Sequence, residues 1–159
     1  MTADLNDSPE PSLADQAAEL RLVAMNFLAR REHSAYELQE KLSARCEESL
    51  IVKEVVERLA AQGLQSDERF VESFIRSRFQ QGKGPLRIFQ ELRHKGVSGQ
   101  LVEQALEVFD ANWGQLARDV RHKRFGSRPP EDLNAKARQL RFLQYRGFTP
   151  DQVQAALES

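Results

Sequence analysis

The residues best equipped for chemistry in this chain are three histidines, one cysteine and a glycine-rich turn. His33, His94 and His122 show neither H-x-x-x-H nor H-E-x-x-H spacing, so none is paired for zinc, and each reads as a surface histidine. Cys46 is the single thiol. It excludes an internal disulfide and a Cys-based zinc site, and fits a small helix residue in a reducing cytosol. Gly82-Lys83-Gly84-Pro85 lacks both the spacing and the Lys-Ser/Thr ending of a phosphate-binding loop. Carboxylates are plentiful, but they lie among Lys and Arg at helical spacings such as Glu91 to Lys95, which makes solvated ion pairs of them. No nucleophile stands beside a base. Neither catalysis nor a metal nor a cofactor is expected.

Positive charge is the remaining chemistry. Arg76, Arg78, Lys83, Arg87, Arg93 and Lys95 form one concentration. Arg118, Arg121, Lys123, Arg124, Arg128, Lys136, Arg138, Arg141 and Arg146 form a second, opposed only by Asp119, Glu131 and Asp132. Taken singly these are solvated helix residues. Taken together they point to a polyanionic partner, either an acidic protein groove or a nucleic acid backbone. Lys83, Arg87, Lys95, Arg121, Lys123, Arg124, Arg141 and Arg146 are the candidate partner-binding residues.

The elements that must position them are helices. Gly84 and Pro85 open a short one, with Pro at the first helical position, and Gly96 stands where a left-handed cap ends it. Within it Ile88, Phe89 and Leu92 share one face, and Arg87, Glu91 and Lys95 another. Before it, Ser12 caps a helix carrying Leu20, Ala24, Phe27 and Leu28, and Ser34 with Glu37 forms a capping box for the next. A third carries Val52, Val55, Val56 and Leu59 and stops at Gly63. Phe70, Val71, Phe74, Ile75 and Phe79 give a broad apolar arc in which Arg78 is out of place, with Glu91 as its candidate partner. Ser98, then Trp113, then Leu133 mark three more helices, and Thr149, Pro150 and Gln152 open the last. No period-2 stretch competes.

The helices recur in threes. Leu42, Val52, Val55, Val56 and Leu59 lie fifty positions ahead of Leu92, Val102, Ala105, Leu106 and Phe109. That set maps, fifty-one positions on, to Leu143, Val153, Ala156 and Leu157, and Gly96-Val97-Ser98 maps to Gly147-Phe148-Thr149. Matching apolar positions at such a period signal tandem units that touch mainly their neighbours. The reading is an all-α chain, an elongated array of three tandem three-helix repeats over residues 12–65, 66–111 and 112–159, each with a long first and a short second helix. The first repeat has Cys46-Glu47 where Gly96-Val97 stands in the second, so its turn must differ.

At 159 residues, 40% hydrophobic and 30% charged, the chain can bury a core while remaining rich in surface. Its apolar runs are too short for a membrane span, and its acidic N-terminus lacks the order of a signal peptide. Residues 1–11 read as an acidic disordered tail. Asp4, Asp7, Glu10, Asp15 and Glu19 precede the first basic residue; without those five acids the formal charge of -1 becomes +4. A cytoplasmic monomer is expected.

The order S-D-E-R-F, then G-K-G-P-L-R-I-F-Q-E-L-R-H-K-G-V, then Trp113, then R-F-L-Q-Y-R-G-F resembles the bacterial RecX family, from about Leu20 to Leu157. The resemblance implies tandem three-helix repeats that lodge in the groove of the RecA filament on single-stranded DNA and modulate the recombinase, generally by inhibition. It covers Gly84, Pro85, Arg87, Ile88, Glu91, Leu92, Lys95 and Gly96, together with Asp67, Arg69, Phe70, Trp113, Phe142, Leu143, Arg146, Gly147 and Phe148. Of these, Arg87, Lys95 and Arg146 are the attractive contact residues. The alternative is a basic helical module acting directly on DNA, against which stand the lack of a clear Arg/Asn/Gln reading face and the few exposed aromatics. Weak direct DNA contact is compatible with either.

Overall fold

The computed structural model describes residues 10–158; the expected tail therefore lies, up to residue 9, outside the described residues. All regular structure among them is α-helical. One compact unit ends at Ser66 and a second begins at Asp67.

The first unit contains α1 (Leu13–Arg30), α2 (Ala35–Ser43) and α3 (Ser49–Ala61). Ser12 accepts the Asp15 N–H at 3.1 Å. Ser34 Oγ accepts the Glu37 N–H at 3.1 Å, while the Ser34 N–H donates to Glu37 Oε1 at 3.2 Å, completing the capping box. Leu20, Ala24, Leu38, Leu42, Val52, Val56 and Leu59 interlock as its core. The turn at Cys46 uses no left-handed residue, and Glu48 begins α3 without a side-chain cap, so this turn differs from its counterparts.

His33 corrects the sequence expectation. It is not at the surface but 2% exposed, because the short α1–α2 connection folds it back beside Phe27, ring centroids 5.8 Å apart. Nδ1–H donates to the Arg31 carbonyl at 3.1 Å, leaving Nε2 to accept an N–H from Lys41 at 3.1 Å. Gln65 reaches back from beyond α3 to donate to the His33 carbonyl at 3.2 Å.

The second unit contains α4 (Asp67–Gln80), α5 (Pro85–His94), α6 (Gly99–Phe109), α7 (Trp113–Phe125), α8 (Leu133–Tyr145) and α9 (Pro150–Leu157). Phe70, Val71, Ile75, Ile88, Leu92, Val97 and Val102 form one core; Ala117, Leu143, Phe148, Val153 and Ala156 form another. Leu42, Leu92 and Leu143 are each 0% exposed, as equivalent positions of a repeat require. The turns after α5 and α8 also match. Gly96 and Gly147 take φ of 76° and 97°, and Val97 and Phe148 donate back to Leu92 and Leu143 at 3.3 and 3.2 Å. The third group departs from the long-then-short expectation, since α7 and α8 both span 13 residues and the closing α9 only 8.

Trp113 begins α7 yet packs into the preceding core, edge-on to Phe79 at 5.3 Å and tilted to Phe109 at 6.0 Å. Two successive three-helix groups thereby share one compact unit. Among the described residues no helix is long and apolar enough to cross a membrane, and no cluster of His, Cys, Asp or Glu could hold a metal ion.

Candidate partner-binding site

The basic residues gather where the turn after α4 meets the turn after α8. The Gly84 N–H donates to the Arg146 carbonyl at 2.8 Å and the Leu86 N–H to the Gly147 carbonyl at 2.9 Å. Backbone can approach backbone here only because neither Gly84 nor Gly147 has a Cβ. One added at Gly84 would strike the Gly147 carbonyl, and one added at Gly147 would strike Arg87. The two glycines thus serve twice, Gly84 opening α5 and Gly147 closing α8 while together they make a seam.

Arg87 and Arg146 flank that seam. Arg87 lies 5.2 Å from the centroid of the Tyr145 ring, and Arg146 lies 5.5 Å from that of Phe142 while donating to the Gln81 carbonyl at 3.4 Å. Arg124 reaches the same Phe142 ring at 5.8 Å. Lys123 and Arg124, both exposed near the end of α7, line one groove with Arg146. Arg141 is exposed on α8 one turn before Tyr145. Lys95, the C-cap of α5, is two turns beyond Arg87, about 12 Å along the helix.

Glu91 organises the near side. Arg78 Nε stands 3.1 Å from one carboxylate oxygen, with Lys83 Nζ and Arg87 Nε at 3.5 and 3.4 Å from the other. Arg78 therefore does find Glu91, while its guanidinium also lies 4.4 Å from the Phe74 ring centroid. Partial burial raises the Glu91 pKa, but the Arg78 hydrogen bond and the charges of Lys83 and Arg78 outweigh it and hold the carboxyl below its ordinary value. One anion against three cations leaves this side positive.

Arg121 does not belong to the surface. It is 0% exposed, its Nε donating to Gln139 Oε1 at 2.9 Å and its Nη2 to the Arg128 carbonyl at 2.6 Å. Its position on α7 turns it inward against α8, where it ties down the α7–α8 connection. A guanidinium so enclosed cannot present its charge, and Arg121 is removed from the candidate contacts. In the other direction the sequence reading missed Tyr145, 75% exposed beneath Arg87. The signal was its place four residues after Arg141 and next to Arg146, on a helix whose apolar face lies elsewhere.

Comparison with known families agrees with this architecture. Residues 21–59, 66–106 and 115–157 match the models of the first, second and third three-helix domains of RecX. The chain belongs to the RecX family. It is 47% identical over 146 residues to the regulatory protein RecX of Halorhodospira halophila, covering 91% of each chain. A RecX of Pseudomonas putida is 41% identical over 142 residues, covering 89% of this chain and 91% of that one. The crystal structure of RecX from Lactobacillus salivarius shares the fold, with a TM-score of 0.78 at 21% identity over 91% of this chain and 96% of that one. The named relatives are regulatory proteins.

Proposed function

We propose that this protein modulates the RecA recombinase, mainly as an inhibitor, by binding in the groove of the RecA filament on single-stranded DNA. The observation that carries the reading is the gathering of Arg87, Lys123, Arg124 and Arg146 around a glycine seam built from two successive repeats. Backbone hydrogen bonds hold the segments that bear Arg87 and Arg146 against one another, so the spacing of those two charges is set before a polyanionic surface meets them. Tandem repeats let several weak contacts act together through effective concentration. An occupied groove would obstruct duplex entry, strand exchange and the co-protease activity, with no chemistry asked of the protein. It acts as a cytoplasmic monomer without cofactor. Lys83 and Lys95 extend the same surface along α5, and Arg141 along α8.

A second reading, direct action on DNA, has one observation in its favour. Tyr145 is an exposed aromatic beside a guanidinium, the elements of a stacking platform. Pull-down of the purified protein with RecA filaments, beside bare single-stranded DNA and across a salt series, tests both. Filament-dependent capture is expected. Equal capture by bare DNA, falling steeply with salt, would replace the filament reading with the DNA reading.

A further inference from the structure

Between the end of α4, α7 and α8 lies a groove of ≈ 520 Å³, within the size range of clefts that hold ligands. Its floor is apolar, made by Leu116, Val120 and Phe142; its edge carries Lys123, Arg124 and Arg146. The walls meet closely, since a Cβ on Gly82 would stand 2.8 Å from Val120 Cγ2, so the groove is preformed rather than opened by a ligand.

We propose that this groove seats one apolar side chain from an acidic segment of a partner protein, with Lys123, Arg124 and Arg146 holding the carboxylates on either side. An aliphatic and aromatic pocket surrounded by cations matches that combination, a buried anchor with charged flanks. Nucleic acid fits less well for two reasons. Leu116 and Val120 give a base nothing to stack on. Phe142 already meets Phe125 edge-on at 5.3 Å and has Arg124 and Arg146 near its ring, groups a base would have to displace. Asp119, exposed on the groove wall with its Oδ1 accepting the Gln115 amide at 2.9 Å, repels phosphate and carboxylate alike, so an anionic ligand must keep its charges on the opposite edge. A peptide can instead keep its carboxylates toward the three cations. The inference rests on the filament reading for where such a segment is met, but its binding chemistry stands separately.

The test uses the full-length protein and fluorescent probes: an acidic peptide with one central Phe, the same peptide with Ala there, and an oligo(dT) of equal charge. The Phe peptide should bind at least tenfold more tightly than the Ala peptide. Asp119→Trp fills the groove from an exposed helix position without removing a cation, and should abolish that tenfold difference while leaving charge-driven binding. Lys123→Gln with Arg124→Gln should weaken both peptides by similar factors, which keeps the test decisive should the Trp variant melt early. Equal affinity for the two peptides overturns the inference. So does oligo(dT) that binds more tightly than the Phe peptide and loses affinity in Asp119→Trp, which would give the groove to nucleic acid. A parallel pull-down with RecA filaments separates the two proposals, because its failure overturns the filament reading and leaves the peptide result standing.

Discussion

Arg121 and His33 show how far a side chain's role depends on where the turn before it places it. Arg121 sits in a basic run that reads as surface, yet it is enclosed, with Nη1 left without a hydrogen-bond partner in the structure. Reversal to Glu would set a carboxylate against Gln139 Oε1 and the Arg128 carbonyl, acceptors facing an acceptor. Arg121→Glu should therefore destabilise the second unit by about 3–5 kcal/mol, the usual cost of an uncompensated buried charge. Urea unfolding checks this; a loss of 0.5 kcal/mol or so, as for a surface charge, would return Arg121 to the surface. His33 makes the opposite kind of prediction, one of pH. Burial, reinforced by the charges of Arg31 and Lys41 and partly opposed by the Arg31 carbonyl and Glu37, holds its pKa below the ordinary 6.5. Below pH 6.5 the unfolded chain thus takes up a proton that the folded chain refuses, and stability falls with pH until the lowered folded pKa is reached. His33→Phe keeps the ring beside Phe27 but does not titrate. Its unfolding free energy should decline less than wild type's between about pH 7.5 and 5.5, and equal declines would show that His33 contributes nothing to the slope.

At the scale of elements, caps and apolar spacing carried most of the fold. Ser12, Ser34 with Glu37, Pro85, Ser98 and Thr149 with Gln152 all stand at helix starts, because each local rule needs only a few neighbouring residues. Glu37 shows the limit: its charge reads as solvated, but the capping box draws it to 6% exposure and Arg31 pairs with it at 2.9 Å. The seam was likewise invisible to spacing, since Gly84 and Gly147 meet only once two groups of three helices are packed. It gives a sharp comparison within one unit. Gly126 and Gly147 both have positive φ, 86° and 97°, but a Cβ at Gly126 meets nothing within 4 Å whereas one at Gly147 collides with Arg87. Gly126, at φ 86° and ψ 176°, holds a backbone conformation that is almost confined to glycine, so Gly126→Ala should cost that backbone strain alone, about 1–3 kcal/mol. Gly147→Ala adds overpacking of about 1–3 kcal/mol and pushes Arg87 off Tyr145. Equal losses in urea unfolding would mean the seam contributes no stability.

For the molecule as a whole, the charge distribution is the property on which the proposed function rests, and it was only half legible in the sequence. Linear density marked the basic regions, but it could not separate Arg121, turned into the core, from Lys123 two residues on, because that depends on which face of α7 meets α8. Nor could it show that Lys83 and Arg87 share Glu91 with Arg78, or that Arg146 donates to the Gln81 carbonyl. Charges that hold the structure are poor choices for testing the surface. Lys123, Arg124 and Arg141 are exposed and suit the purpose. Reversing those three to Glu should leave thermal unfolding nearly unchanged, since surface charge changes move stability by about 0.5 kcal/mol or less each. Association should slow, and any of the three that is desolvated in the complex should cost about 2–5 kcal/mol of binding. Inhibition of RecA-dependent strand exchange at ordinary salt is therefore expected to disappear in the triple variant. The matching control lies in the first unit, where Glu54 and Glu57 are exposed on α3 and their reversal to Lys should matter little. If the folded triple variant inhibits as strongly as wild type, the filament contacts the protein elsewhere and the basic surface of the second unit is solvated charge.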